Sequence, residues 1–91
     1  MTKIGIKQKK DIENGFEFLV ELDGLEYNVT LDSSYWQKLS GGRYEAEELV
    51  RKSFEFLLER EPKEAILREF NLKVISQYFP EYEETITSLI G

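Results

Sequence analysis

With 91 residues the chain can build one small core, burying roughly 60–65% of its unfolded surface. Its 41% hydrophobic and 33% charged content belongs to a folded domain and excludes a disordered one. The formal charge of −6 repels phosphate backbones and favours a basic partner or plain solubility, while the absence of cysteine and histidine removes disulfides, thiolate nucleophiles, the usual general base and the commonest transition-metal ligands.

Met1 to Lys10 carries Lys3, Lys7, Lys9 and Lys10, with only Ile4 and Ile6 as large apolar residues after Met1, too polar for a signal peptide. No apolar run approaches the roughly 18 residues of a membrane span. Without cysteine, a cytoplasmic location is the expectation.

The first predicted strand is Ile4 to Ile12. From Phe16 to Leu22 and from Leu25 to Leu31, apolar and polar residues alternate as in two half-buried strands. Asp23-Gly24 between them suits a type I′ hairpin, whose two central residues need positive φ. That turn sets Leu22 against Leu25, Val20 against Tyr27, Phe18 against Val29 and Phe16 against Leu31, leaving only Leu19 of the large apolar residues on the other face. It also opposes Glu21 to Glu26, a like-charge pair needing a neutralising partner. A bulged loop, Glu13-Asn14-Gly15 with Gly15 left-handed, would join the first strand so that Ile6 opposes Leu22, Ile12 opposes Phe16 and Lys7 opposes Glu21. The expected sheet is a three-stranded antiparallel meander over 1–31.

From Asp32 the period becomes helical. Asp32, Ser33 or Ser34 can cap a short helix carrying Tyr35, Trp36 and Leu39, and Gly41-Gly42 ends it. The longest helix spans about Glu45 to Arg60. Its apolar positions Ala46, Leu49, Val50, Phe54, Leu57 and Leu58, widened by Phe56, cover more than half the circumference, so this helix should rest on the sheet and be covered in turn. Glu61-Pro62 stops it. Pro62 to Phe70 is predicted as a helix with Ala65, Ile66 and Phe70 inward, Asn71 as a break, and Leu72 to Phe79 as a further short helix, although Leu72-Lys73-Val74 also fits a strand. Pro80 opens a final helix with Glu81, Glu83 and Glu84 in its first turn and Tyr82, Ile86, Leu89 and Ile90 on its stripe. The whole is an α+β domain over 1–91, a β-meander followed by a bundle of four to five helices over 32–91.

Chemistry-bearing patterns are sparse. Ser33, Ser34, Ser40, Ser53, Ser76 and Ser88 lie outside any nucleophile-elbow pattern, and Ser34 with Lys38 reads as a helix cap beside a surface lysine. Glu47 with Arg51 and Glu48 with Lys52 are ordinary i,i+4 pairs on a solvated helix face. Gly41-Gly42-Arg43 lacks both the preceding strand and the following Lys-Ser/Thr of a phosphate loop. No catalytic residue, cofactor site or metal site is expected, and the chain reads as a non-enzyme.

Three resemblances accompany this reading. The stretch Ala65-Ile66-Leu67-Arg68-Glu69-Phe70-Asn71-Leu72-Lys73-Val74-Ile75-Ser76 resembles the middle of a helix-turn-helix DNA reader, which implies nucleic-acid contacts from Arg68 and Lys73 on a 63–79 helix pair. It is shorter than that family's pattern between Asn71 and Ile75, and its second helix offers Lys73 as its only cation. The first strand, Asp11-Ile12-Glu13-Asn14-Gly15-Phe16, the segment Val20-Glu21-Leu22-Asp23-Gly24-Leu25 and the Glu47-Glu48-Leu49 helix are similar to HicB-type antitoxins, though the Tyr35-Trp36 helix intrudes and that family's proline-bearing loop is absent. Glu48 to Pro62 and Ser76 to Tyr82 resemble small bacterial proteins of unassigned function.

Tyr35, Trp36, Tyr44, Tyr78, Phe79 and Tyr82 exceed what a small core readily holds, and Tyr and Trp favour surfaces with one dry and one wet end. They mark a candidate partner surface. The leading expectation is a non-catalytic protein-interaction or regulatory module, inhibitor or antitoxin-like. The alternatives are a nucleic-acid-binding regulator, against which the negative charge argues, and a structural homodimer joined by an edge strand or the last helix.

Overall fold

The computed structural model describes residues 2–90 as an α+β fold. Strands β1 (Ile4–Ile12), β2 (Gly15–Leu22) and β3 (Leu25–Asp32) are followed by helices α1 (Ser33–Ser40) and α2 (Ala46–Arg60), strand β4 (Glu69–Asn71), and helices α3 (Ile75–Tyr78) and α4 (Tyr82–Ile90). Among the described residues no helix is long and apolar enough to cross a membrane.

The β2–β3 hairpin has the register expected from its alternation, Phe16 to Leu31 through Leu22 to Leu25. Asp23 and Gly24 take φ of 48° and 91°, as a type I′ turn requires. Phe18, Val20, Leu22, Tyr27, Val29 and Leu31 are consequently fully buried on one face.

The β1–β2 connection differs from expectation. The turn is Glu13-Asn14, with Asn14 at φ 73°, and Ile12 pairs with Gly15. Gly15 stays in the strand, where an added Cβ would collide with the Leu31 carbonyl oxygen. A bulge between Ile6 and Gln8 then shifts the register, so Ile4 opposes Leu22 and Ile6 opposes Val20. The bulge keeps both isoleucines packed against the core, while Ile12 is left 38% exposed. Glu21 does face Glu26, and Lys7 reaches Glu21 at 3.3 Å although Gly5 is the residue directly opposite.

The sheet has four strands in the order β1-β2-β3-β4, so the three-stranded meander is incomplete. β4 runs parallel to β3, pairing Asn28 with Glu69, Val29 with Phe70 and Thr30 with Asn71. A parallel neighbour needs a long crossover, here supplied by α1 and α2. The helix expected over Pro62–Phe70 is replaced by a 3₁₀ turn at Lys63–Ala65 and an extended chain. Two gains outweigh helical propensity there. Extension satisfies backbone groups on the outer side of β3, including the Asn28 N–H bonded to the Arg68 carbonyl at 2.8 Å, and it carries Phe70 to within 6.0 Å of Phe54 between ring centres.

Helix α2 is buried on two sides, as its wide stripe requires. Phe54 faces the sheet against Tyr27 at 5.7 Å, and Phe56 faces α4 against Tyr82 at 5.2 Å. Its charged neighbours pair at i,i+3, Glu48 with Arg51 and Lys52 with Glu55, in place of the expected i,i+4 partners. Helix α1 ends at Gly41, φ 65°, whose N–H bonds the Gln37 carbonyl.

Candidate binding groove

The six aromatics expected on a partner surface divide sharply. Tyr82 is fully buried, and its hydroxyl lies 2.6 Å from Ser53 Oγ, which itself donates to the Leu49 carbonyl. Tyr35 is buried and donates to Glu83 at 2.7 Å. Both therefore belong to the interior: each ring fills the core while its hydroxyl finds a polar partner. Burial pushes the Tyr82 hydroxyl up from its ordinary pKa, burial followed by the Glu83 carboxylate does the same for Tyr35, and the hydrogen bond from Tyr35 draws Glu83 below the usual carboxylate range. Trp36 and Tyr44 are half-buried and joined to each other, the indole N–H donating to the Tyr44 carbonyl at 2.7 Å, so they pin the loop before α2. Phe79 is half-buried against Phe56. Only Tyr78 stands out, 66% exposed.

Tyr78 and Phe79 line a groove of about 190 Å³ with Leu57 and Glu61 at the end of α2, the Ala65-Ile66-Leu67 stretch, Phe70, Val74 and Ile75. Leu67 on this lining is 51% exposed. The groove exists because the chain leaves α2 at Pro62, extends to reach β3, and returns through α3, so that Ile66 and Ile75 are buried while the residues between the two passes do not meet. Its volume falls below the roughly 300–1,000 Å³ of small-molecule pockets.

Glu61 is the one charged residue among those lining it. The Glu61 carboxylate has no ion pair or hydrogen bond among the described residues, whereas Glu55, Glu59, Glu64 and Glu81 are matched with Lys52, Arg60, Lys63 and Arg60. Glu61 also borders a broader, shallow depression of about 830 Å³, where Glu55, Glu59 and Glu64 are accompanied by Lys3, Arg51 and Lys63.

The residues suggested by the helix-turn-helix resemblance do not form a helix pair. Arg68 precedes β4, donates to the Glu26 carbonyl at 2.7 Å and stacks over Tyr27 at 5.2 Å. Lys73 lies in a 3₁₀ turn and pairs with Asp32 at 3.2 Å. The short spacing between Asn71 and Ile75 that departs from the family pattern is where β4 passes directly into that turn. At the opposite edge, β1 is bulged and carries Lys7, Lys9 and Lys10, features that hinder strand addition.

Of the residues lining the groove, Tyr78 and Phe79 were among the aromatics expected on a partner surface, while Leu67 and Glu61 were not singled out from the sequence. The signal was present for Leu67, an apolar residue outside the inward set of its segment, and for Glu61 there was none, since its lack of a partner is a property of tertiary placement. No protein-family model, no curated protein and no solved structure matches the chain, so its functional reading rests on this groove.

Proposed function

We propose that the chain is a non-catalytic protein-interaction module of a regulatory, inhibitor or antitoxin-like kind, engaging its partner through the groove edged by Leu67 and Tyr78. One observation carries this reading: two large apolar side chains, 51% and 66% exposed, stand together on an apolar groove that the chain's own residues leave open. Covering the exposed part of each side chain stabilises by about 1–2 kcal/mol. A partner that covers both gains a compact central anchor of the kind that dominates interfaces.

The test is affinity capture with the full chain beside Leu67→Ser, Tyr78→Ser and, as a control outside the groove, Leu89→Ser, which replaces another exposed apolar residue. All three should leave stability within about 0.5 kcal/mol, because none fills the core. Capture should be lost with the first two and kept with the third. Equal capture by all four proteins would end the proposal.

A further inference from the structure

We infer that the groove's occupant is a segment of a partner protein in which an apolar anchor residue lies beside a lysine or arginine, the anchor entering the groove and the cation meeting Glu61. This rests on the reading of the groove as an interface. The groove alone would accept any apolar side chain, and the charge around it narrows the choice. Glu61 is half-buried directly after the last turn of α2, on the wall shared by the apolar groove and the shallow depression. Each carboxylate that shares the depression with it already has an intramolecular cation, and Glu61 has none among the described residues. Of the cations there, Arg51 is held by Glu48 and the Ile4 carbonyl and Lys63 by Glu64, leaving Lys3 without an ion pair among the described residues. An acidic partner segment would set a second carboxylate against the unpaired Glu61, and a purely apolar one would cover Glu61 and strip its water without compensation. A cation beside the anchor satisfies that carboxylate, and the protein's net charge of −6 favours its approach.

The experiment is selection of a random displayed peptide library on the immobilised full chain, followed by affinity measurement of the selected peptides by fluorescence anisotropy. The expected consensus pairs a large apolar residue with a nearby Lys or Arg. Glu61→Gln should weaken these peptides about fivefold, Glu61→Lys more, and added salt should weaken binding to the wild type while leaving Glu61→Gln nearly unchanged. A consensus without a cation, indifference to Glu61→Gln, or failure to select any peptide overturns the inference. Peptides sensitive to Leu67→Ser and indifferent to Glu61→Gln would overturn it while leaving the groove as the interface, and peptides indifferent to both changes would remove both readings. Self-association in light scattering that Leu67→Ser dissolves would assign the groove to a second copy and also overturn it.

Discussion

On its sheet side, α2 packs Phe54 between Tyr27 and Phe70, beneath strands that are hydrogen-bonded one to the next. At its C-terminal end the same helix and the residue after it present Leu57 and Glu61 to a groove whose far wall is an irregular chain, anchored to the sheet through just three paired residues of β4. The first region rests on β2 and β3, which follow one another in sequence and whose alternation buries Phe18, Val20, Leu22, Tyr27, Val29 and Leu31 completely. The second is made by one segment leaving and another returning, with each committed elsewhere. Ile66, Phe70, Leu72 and Ile75 are drawn into the core, and Leu67 and Tyr78 are what remains outside.

That contrast has measurable consequences. The largest effect is expected from Phe54→Ala, which should cost about 3–5 kcal/mol in urea unfolding because the cavity lies between sheet and helix. A loss no greater than that of Tyr78→Ser would erase the distinction between the two regions. Next, Gly15→Ala should cost roughly 1–3 kcal/mol, since its Cβ meets the Leu31 backbone in the closely paired β2–β3 ladder, whereas Gly5→Ala, with its nearest neighbour 3.9 Å away, should stay within about 0.5 kcal/mol. Equal losses would mean that β2 is as yielding as the edge strand. The smallest effect concerns pH. Tyr82 has its pKa raised in the folded state by burial, so its contribution is complete below the unfolded value of about 10 and is lost as the pH climbs through the folded value. Thermal midpoints should therefore fall in that alkaline window, and Tyr82→Phe should flatten the decline. An unchanged slope would show that the Ser53–Tyr82 pair opens as readily as the groove.

The sequence made the hairpin legible down to its register, because period-2 alternation and Asp23-Gly24 agree and both act between neighbours. It also revealed α1, α2 and α4, and the two-sided burial of α2 followed from Phe56 alone. The β1 register was harder: Ile4 and Ile6 are on the core side as anticipated, but a bulge near Lys7 achieves this, and Gly15 serves close packing where a left-handed turn had been expected. β4 was not legible, since its three residues gain their strand conformation from β3, some forty positions earlier, and Pro62 followed by Ala65 and Ile66 carries a genuine helical tendency. The candidate surface suffered for a related reason. Whether an aromatic is interior or exposed depends on what packs above it, so Tyr35 and Tyr82 look no different from Tyr78 in the chain.

The parallel β3–β4 pair also bears on how the molecule assembles. Arg68 and Glu26, which meet at its start, are 42 residues apart in sequence, so closing this edge costs more chain entropy unless α1 and α2 have already ordered the intervening chain. The β2–β3 hairpin, by contrast, needs only a two-residue turn. Folding should therefore run from the hairpin outward, with β4 arriving last and exchanging its amide protons first. The segment expected to settle latest is the one that lines the groove proposed as the interface, and its local opening rate would set an upper limit on how quickly that groove reshapes.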